Sequence, residues 1–361
     1  MSVTNEQAQQ ARIADVEAPH FSEEELVETA TDVLHGLGTP RQTAEVVAAS
    51  LALSNLVGHD SHGIVRLIQY SESVKSGQVR PDGTPKVVSA RGAVATVDGG
   101  WGFGQPAAQL ATQLATDAAS AHGIAAVAIS ACNHIGRLGE YVATIAEAGQ
   151  MGMAFCNSGP IVAPFGGAGR VMGTNPFAWS APLRDDFVAL DFATSKVAEG
   201  KIKIAVAEGR TLPPGLIVDS AGQPSVDPAD LYGGGALLAF GEHKGSGMSM
   251  LIELTAALVS GMGSSCDPGY LGGNGTLIMA LDIGAFVDLE RYYEQAATFC
   301  TEAKRIGGGP QHLDILLPGE LEARTLEARH AGGVVVAANI RRQITVLADE
   351  LELDLGRFAL R

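Results

Sequence analysis

The stretch Gly102-Phe103-Gly104-Gln105-Pro106-Ala107, taken with the strand expected after it, decides which kind of α/β fold this chain adopts. It matches the G-x-G-x-x-A pattern of Rossmann dinucleotide-binding folds, and it lies between a predicted strand and a predicted helix. A Rossmann fold also requires an acidic residue at the end of the next strand, where it holds the ribose hydroxyls. The next predicted strand, Ile124–Ile129, ends in Ser130-Ala131-Cys132-Asn133 without a carboxylate. The sequence therefore indicates a glycine-rich turn between a strand and a helix, and it argues against a Rossmann domain.

Short β-rich segments separated by Gly and Pro turns surround this stretch. The predicted strands are Val94–Asp98, Ile124–Ile129, Met153–Asn157, Phe177–Ala181 and Val188–Asp191, and Asp282–Phe286 closes the strand-rich part. The predicted helices of this part are Pro106–Ala121 and Gly247–Gly261. This alternation predicts an α/β domain over residues 83–286.

Both ends of the chain are predicted to be helical. Ser22 and Glu25 form a capping-box pattern that starts a helix ending near Leu37. Thr39 is expected to cap a second helix that runs to about Val57. Further predicted helices span Leu289–Arg305 and Ile340–Leu355. We therefore predict a polar tail at residues 1–19 and a helical domain built from residues 20–82 together with 287–361, giving an α/β fold of the α+β type.

Composition and charge limit the classes of function. The 361 residues are 46% hydrophobic and 18% charged, which is typical of a soluble globular protein. The formal net charge of −16 disfavours nucleic acid or an anionic membrane as a partner, because the summed field repels phosphates. The four cysteines show no C-x-x-C spacing, so they indicate neither a zinc site nor a disulfide framework, and a reducing cytoplasm fits best.

Two polar islands carry the side chains best suited to chemistry. The first polar island, His59-Asp60-Ser61-His62-Gly63-Ile64-Val65-Arg66, follows a predicted helix end at Gly58. The second polar island, Asn133-His134-Ile135-Gly136-Arg137-Leu138-Gly139-Glu140-Tyr141, follows a predicted buried strand. Each combines imidazole and guanidinium groups at the end of an element. The sequence therefore predicts that the two islands contribute to one composite site.

A glycine-rich centre is predicted to bind an anion. Bare backbone amides at Pro164–Gly167 and Gly173–Pro176 allow a ligand to approach without obstruction by a Cβ atom. In Asp191–Lys201 a predicted strand ends in an acid and is followed by hydroxyls and lysines, so this segment can bind sugar hydroxyls and phosphate. Simple helix capping by Thr194 or Ser195 explains the hydroxyls equally well. Lys244 is expected in a glycine turn just before a helix.

Taken in order, these segments resemble the type 2 malate/L-lactate dehydrogenase family. That family also holds ureidoglycolate, sulfolactate and diketogulonate oxidoreductases and cyclic-imine-carboxylate reductases. The resemblance runs from about residue 20 to 335 and rests on nine motifs in sequence. They are Asp60-Ser61-His62-Gly63 with Arg66 and Tyr70, Asn133-His134 with Gly136 and Tyr141, Asn157-Ser158, Pro164–Gly167, Gly173–Pro176, Asp191–Ser195 with Gly200-Lys201, Pro213-Pro214-Gly215, Lys244-Gly245 and Pro318-Gly319-Glu320.

The resemblance implies a homodimeric dehydrogenase that uses NAD or NADP and has a largely antiparallel, non-Rossmann sheet. At matching positions it implies that Ser61, His62, Arg66 and His134 act as substrate and acid/base residues. It likewise implies cofactor contacts at Ser158, Asp191, Ala193, Thr194, Lys244 and Glu320. Two positions depart from the family pattern, since His243 replaces a common aromatic residue and Leu216 replaces a tryptophan.

Hydride transfer to a 2-oxo acid requires a cation for the carboxylate, a proton donor for the carbonyl oxygen and a seat for the nicotinamide. Arg66 can supply the bidentate carboxylate contact, and His62 or His134 can supply the proton, with His62 slightly favoured as the donor. The same set of groups suits reduction of a cyclic imine carboxylate. A different class is a metal-dependent hydrolase that uses His59, Asp60, His62 and His134 as ligands. A non-enzymatic protein that binds a small molecule is a third alternative.

Overall fold

The computed structural model describes residues 19–306 and 314–360, so the predicted N-terminal tail falls outside the described residues apart from its last position. The helices are α1 (Glu23–Gly36), α2 (Arg41–Leu56), α3 (Arg66–Lys75), α4 (Gly104–His122), α5 (Leu138–Glu147), α6 (Glu199–Ala207), α7 (Pro228–Tyr232), α8 (His243–Ile252), α9 (Leu289–Arg305), α10 (Glu320–Gly332) and α11 (Ala338–Glu350). The strands are β1 (His20–Phe21), β2 (Lys86–Arg91), β3 (Val94–Asp98), β4 (Ile124–Ser130), β5 (Met151–Cys156), β6 (Pro176–Pro182), β7 (Phe187–Ala193), β8 (Ile217–Val218), β9 (Pro224–Ser225), β10 (Ala236–Leu237), β11 (Thr276–Leu281) and β12 (Val334–Val335). The predicted α/β class is confirmed.

A seven-stranded mixed sheet organises the larger part of the fold, with the strand order β2-β3-β4-β11-β5-β6-β7. Strands β3 and β4 are parallel, and α4 connects them, as a parallel pair requires. The other neighbours in this sheet pair antiparallel. A smaller three-stranded sheet has the order β10-β8-β9.

The strand at the middle of the large sheet is not where the sequence predicts one. Asp282–Phe286 was expected to close the strand-rich part, but it contains a 3₁₀ turn, Ile283–Ala285, whose Gly284 N–H donates to Asp282 Oδ1 over 3.0 Å. The strand is β11, directly before it, and it pairs with β4 on one side and β5 on the other. A short run of apolar residues does not distinguish a buried strand from a helix, so periodicity alone does not identify β11.

Small side chains let α4 pack closely on this sheet. Ala107, Ala108, Ala111, Ala115 and Ala119 are fully buried in the main apolar cluster, with Val97 and Ile129 from the strands. Packing at interior density requires such volume matching, because larger side chains at these positions would force the helix outward.

The glycines of the Rossmann-like stretch have a structural explanation. A Cβ atom at Gly104 would lie 2.4 Å from the carbonyl oxygen of Asn133, and one at Gly102 would lie 2.4 Å from that of Gly83. Neither position accepts a side chain without movement of the backbone. The pattern at Gly102–Ala107 therefore follows from close packing of two chain segments at the start of α4.

The chain divides into two compact units, one formed by residues 19–82 and 321–360 and the other by the described residues of 83–320. The sequence places the second boundary earlier, between 286 and 287. Helix α9 has the bounds that the sequence predicts, but it belongs to the unit that contains the sheet. Arg184, in the turn between β6 and β7, explains this grouping, because it pairs with Glu290 at 2.6 Å and lies 5.5 Å from the ring centre of Tyr293.

Of the two helix caps predicted for the helical unit, the one at Ser22 is present and the one at Thr39 is not. The Glu25 N–H donates to Ser22 Oγ over 3.2 Å, and the Ser22 N–H donates to Glu25 Oε2 over 2.8 Å, which confirms the capping box. The cap predicted for α2 is wrong: Pro40 is the N-cap, and the Thr39 side chain makes no capping bond. The Thr39 N–H instead donates to the Leu34 carbonyl oxygen over 3.2 Å, so its backbone belongs to the turn that follows α1. Within the described residues, none of the helices is both long and apolar enough to cross a membrane.

Candidate active site

The first polar island is anchored by Asp60, which lies in a 3₁₀ turn, Asp60–His62, after the end of α2. Arg329 Nη1 and Nη2 donate to Asp60 Oδ1 and Oδ2 over 2.7 and 3.1 Å, and Asn55 Nδ2 donates to Oδ1 over 2.7 Å. Asn55 also accepts from the Ile64 N–H at 2.8 Å. A Cβ atom at Gly63 would lie 2.1 Å from Asn55 Oδ1. Asp60 and Asn55 therefore fix the backbone that carries the neighbouring functional side chains.

Ser61 and His62 lie on this anchored turn, and Arg66, the first residue of α3, reaches back to it. The Ser61 hydroxyl is 3.1 Å from His62 Nδ1, and Arg66 Nε donates to the Ser61 carbonyl oxygen over 2.7 Å. Arg66 Nη1 also contacts Gln69 Oε1. Ser61 is exposed, whereas His62 and Arg66 are half-buried. The arrangement offers an imidazole for proton transfer and an oriented guanidinium for a carboxylate.

The residues named for the metal-hydrolase alternative have other partners. Asp60 is held by Arg329, and His59 Nε2 lies 3.2 Å from Glu322 Oε1. In the parts of the chain that the structure describes, no group of three or more His, Cys, Asp or Glu side chains is placed to hold a metal ion. A carboxylate already paired with a guanidinium is a poor ligand for a cation, so this geometry does not favour the hydrolase.

His134 lies half-buried on the loop between β4 and α5, in the unit that contains the sheet. Its carbonyl oxygen accepts from the Gly104 N–H over 3.2 Å. Asn133 Nδ2 donates to the carbonyl oxygens of Trp101 and Gly102 over 2.9 and 3.1 Å. The Tyr141 hydroxyl donates to the carbonyl oxygen of Ile135. These bonds hold the loop from both sides of His134, so they present its side chain on a rigid backbone.

Ser158 lies where two loops of the glycine-rich centre meet. Its Oγ accepts from the Thr174 N–H over 3.1 Å, and its own N–H donates to Asn175 Oδ1 over 3.1 Å. A Cβ atom at Gly173 would lie 2.3 Å from the Ser158 carbonyl oxygen. Glycine at 173 thus permits the close approach that joins the two loops.

Asp191, Ala193 and Thr194 lie at the end of β7 and directly after it. Asp191 Oδ2 accepts from the Gly139 N–H in the first turn of α5 over 2.7 Å, where the helix dipole favours a carboxylate. Ala193 ends β7 opposite Pro176. Thr194 is fully buried, and its hydroxyl donates to the Thr174 carbonyl oxygen over 2.9 Å. The structure therefore places the Thr194 side chain in the interior.

Lys244 lies in the first turn of α8 and not in the turn before it, because the helix begins at His243. It follows Glu242, whose φ of 56° is unusual for a residue other than glycine. A lysine is electrostatically unfavourable at a helix N-terminus, so its exposed ammonium suits a position beside an anion.

Glu320, at the start of α10, pairs with Lys304 and accepts from the Leu317 N–H over 3.1 Å.

The structure brings Ser61, His62 and Arg66 together in the helical unit. The other predicted site residues belong to the unit that contains the sheet, where Ser158 and Thr194 are joined through Thr174.

Sequence analysis did not identify Glu253, a buried acid that is 7% exposed in a π-helical turn, Glu253–Ala257, after α8. Its carboxyl oxygens accept hydrogen bonds from the neighbouring loops. We call Glu253 and its partners the Glu253 cluster: Asn157 Nδ2 (3.3 Å), Gly173 N (3.4 Å), Asn175 Nδ2 (2.8 Å), and Ser265 through its N–H (2.9 Å) and its hydroxyl. The available signal was a single acid within the apolar run Met248–Leu254, since such acids are buried only when they are paired.

The buried cysteines do not suit nucleophilic chemistry. Burial raises the pKa of the Cys156 thiol to about 12 and also raises the pKa of Cys132. Because the thiolate is the nucleophile, these side chains stay protonated and unreactive near neutral pH.

Comparison with known proteins gives a consistent result. A family model described as malate/L-lactate dehydrogenase matches residues 21–345. The chain is 32% identical to the malate/(S)-sulfolactate dehydrogenase of Methanothermus fervidus, covering 90% of this chain and 95% of that protein. It is 36% identical to hydroxycarboxylate dehydrogenase B of Escherichia coli O157:H7, covering 85% and 87%. The crystal structure of delta1-piperideine-2-carboxylate reductase from Pseudomonas syringae pvar. tomato superposes with a TM-score of 0.82 at 32% identity, covering 91% of this chain and all of that chain.

Proposed function

Since the chain belongs to the malate/L-lactate dehydrogenase family, we propose that it transfers a hydride between a nicotinamide cofactor and a small 2-hydroxy acid or 2-oxo acid. Relatives across the family are named as dehydrogenases and reductases, so the protein is an oxidoreductase. A dehydrogenase of this kind implies a nicotinamide cofactor, and we propose NAD or NADP in that role.

The observation that carries the proposal is the grouping of Ser61 and His62, on the anchored turn, with Arg66 at the start of α3. A substrate of this class has a carboxylate next to the carbon that is oxidised or reduced. A guanidinium binds that carboxylate through two parallel hydrogen bonds, and an imidazole changes its charge near neutral pH. The turn therefore presents the two groups that the reaction needs from the protein.

The donor and acceptor types in the sheet-containing unit fit a dinucleotide. Lys244, exposed in the first turn of α8, suits a phosphate, while the Asp191 carboxylate and the Ser158 hydroxyl suit sugar or amide groups. Thr194 is buried, and both its hydroxyl and its N–H donate to the Thr174 carbonyl oxygen, so we propose that it acts on the cofactor site by supporting Thr174. We also propose that Glu320 and Ala193 contact the cofactor.

We further propose that this cofactor site is not of the Rossmann type. Close backbone packing accounts for the glycines at 102 and 104, and β4 ends without an acid. The antiparallel pairing of β4, β11, β5, β6 and β7 also differs from the parallel sheet of a doubly wound fold.

The bound cofactor supplies or accepts the hydride. In the direction of reduction, Arg66 holds the substrate carboxylate and His62 gives a proton to the carbonyl oxygen. In oxidation His62 takes that proton back, as microscopic reversibility requires. Ser61 keeps the imidazole oriented through the contact with Nδ1 at 3.1 Å. We propose His134 as the second acid/base residue.

A cyclic imine carboxylate is the second candidate substrate, favoured by the likeness to the piperideine-carboxylate reductase. The same carboxylate contact serves both substrates, and the proton would go to the imine nitrogen instead of the carbonyl oxygen. Walls of the substrate pocket decide between them, because small differences in a pocket discriminate related substrates.

We propose that the protein works as a homodimer. Four exposed apolar side chains lie on α8, on the π-helical turn and directly after it: Leu251 (45% exposed), Leu254 (61%), Leu258 (48%) and Val259 (61%). An apolar surface of this kind is usually covered by a partner, and a two-fold related copy offers the same apolar surface in return. Light scattering at micromolar concentration should give twice the monomer mass, and a monomer with full activity would rule the dimer out.

We also propose a cytoplasmic location, since all four cysteines are free thiols. The partners that we propose are a small anionic substrate and a second copy of the chain, and neither nucleic acid nor membrane.

The function is tested with a panel of 2-oxo acids and cyclic imines, each assayed with NADH and with NADPH. We expect the absorbance of the reduced nicotinamide to fall with at least one 2-oxo acid, and we expect a chelator to leave the rate unchanged. No oxidation of either cofactor with any member would refute the dehydrogenase. Loss of activity with a chelator would favour metal chemistry, and a response confined to imines would favour the second candidate.

A further inference from the structure

Residues of the Glu253 cluster hydrogen-bond both backbone polar groups of Ser158. The Ser158 N–H donates to Asn175 Oδ1 over 3.1 Å, and Asn175 Nδ2 in turn donates to Glu253 Oε1 over 2.8 Å. The Ser158 carbonyl oxygen accepts from the Ser265 hydroxyl over 2.6 Å, and that hydroxyl also contacts Glu253 Oε1. Each backbone polar group of Ser158 is therefore linked to the Glu253 carboxyl group through one intervening side chain, Asn175 for the N–H and Ser265 for the carbonyl oxygen.

Glu253 also fixes the loop opposite Ser158. The Gly173 N–H points to Glu253 Oε1 at 3.4 Å, and Thr174, the next residue, donates its N–H to Ser158 Oγ over 3.1 Å. The backbone bonds therefore set where the Ser158 residue lies, and the Thr174 bond sets where its hydroxyl points.

The chemistry of the cluster requires an acid at 253. The partners of its carboxyl oxygens are amide N–H groups and a hydroxyl, and Asn157, Asn175 and Ser265 are themselves buried. A carboxyl group accepts through both oxygens, whereas an amide of the same shape offers one oxygen and one NH₂ group. Either orientation of an amide would place that NH₂ group against at least two buried N–H donors.

We propose that Glu253 is a positioning residue that sets Ser158 for contact with the nicotinamide cofactor, a role that rests on the proposed function. It touches no reacting group, since it acts through Asn175, Ser265 and Gly173. The π-helical turn that begins at Glu253 agrees with this role, because single π-helical turns occur frequently at functional sites.

The test uses the full-length protein and measures the dissociation constants of NADH and NADPH by fluorescence, together with the melting temperature. In Glu253→Gln we expect the dissociation constant of the preferred cofactor to rise by about tenfold or more, since hydrogen bonds that involve a charged group are the strong ones. Ser158→Ala should raise it as well. The double variant should lose much less than the product of the two single losses, because both act on the same contact.

The matched control is Gln150→Met, which removes a buried polar side chain of the same unit. Gln150 Nε2 donates to two acceptors in helix α4, the Thr116 carbonyl oxygen at 3.1 Å and Ser120 Oγ at 2.8 Å. This variant should lower the melting temperature and leave cofactor binding unchanged. If Glu253→Gln fails to fold, Ser265→Ala takes its place, because it removes the hydroxyl that links the Glu253 carboxyl group to the Ser158 carbonyl oxygen and leaves the carboxyl group in place.

Three outcomes decide the matter. The positioning role is supported if Glu253→Gln binds the cofactor more weakly and the double variant raises the dissociation constant by less than the product of the two single effects. A lower melting temperature with unchanged cofactor binding, or losses that multiply fully, overturns it. If the wild-type protein binds neither NADH nor NADPH, it is the proposed function that fails.

Discussion

The first polar island and the Glu253 cluster each hold a carboxyl group close to candidate site residues, but in opposite surroundings. Asp60 meets a guanidinium, and its side chain is 54% exposed. Glu253 is buried and receives hydrogen bonds from amide N–H groups and one hydroxyl. An exposed ion pair contributes little and is weakened by salt, whereas a buried acid depends on the full set of its donors. The comparison fits our proposals that the island presents reactive groups on an exposed turn and that the cluster orders loops from within.

The largest expected effect tests whether the island carries chemistry. His62→Ala should lower kcat by at least about 100-fold, the lower range of general acid catalysis, while cofactor affinity stays nearly intact. His134→Ala should show a loss of similar size if it shares the acid/base role. The matched control is His330→Ala, an exposed histidine of the helical unit that lies 3.6 Å from Glu23. Near wild-type kcat from about pH 6 to 9 in either variant would make that histidine structural.

The anchor beneath the island is tested by Gly63→Ala. The new Cβ atom would lie 2.1 Å from Asn55 Oδ1, so Asn55 must release the Ile64 N–H, Asp60, or both. We expect the free energy of unfolding to fall by about 2 kcal/mol, within the usual range for overpacking. Gly332→Ala is the control in the same unit, because a Cβ atom there meets no heavy atom within 4 Å. Equal stability of the two variants in denaturant titrations would contradict the anchor.

The guanidinium of the island is tested by Arg66→Lys. An ammonium keeps the charge but cannot make two parallel hydrogen bonds to a carboxylate, so KM for the substrate should rise by about tenfold or more. Cofactor affinity should stay unchanged. The control is Arg80→Lys, an arginine in the turn after α3. An unchanged substrate KM in Arg66→Lys would remove Arg66 from the substrate site.

Local sequence patterns predicted the helices and strands that have strong end signals. Helix α9 has its predicted bounds because Asp288 caps it and its apolar residues recur at helical spacing. Strand β3 also has its predicted bounds. Strand β11 was missed because its sequence, Thr-Leu-Ile-Met-Ala-Leu, does not alternate polar and apolar residues, and its place between β4 and β5 depends on pairing with distant segments.

The same limit applies to the candidate site. The sequence predicts Ser61, His62 and Arg66 as site residues, since they are polar side chains next to an apolar stretch. It did not identify Arg329 as the partner of Asp60 or the role of Glu253, because both depend on contacts between segments far apart in the chain. The sequence shows which side chains could take part in chemistry, whereas only the folded structure shows which distant residues hold them in place.

The smallest expected effect compares the two carboxyl groups directly. Asp60→Asn removes the charge that pairs with Arg329, and we expect a loss of about 1 kcal/mol or less, because the Asp60 side chain is more than half exposed. That loss should shrink toward zero in about 1 M salt, where the screening length falls to roughly 3 Å. The loss of stability in Glu253→Gln should be nearly independent of salt, since its partners are neutral and buried. Denaturant titrations at low and high salt measure both differences. Equal salt dependence in the two variants would mean that the Glu253 cluster behaves as an ordinary surface charge, and the distinction between the two regions would fail.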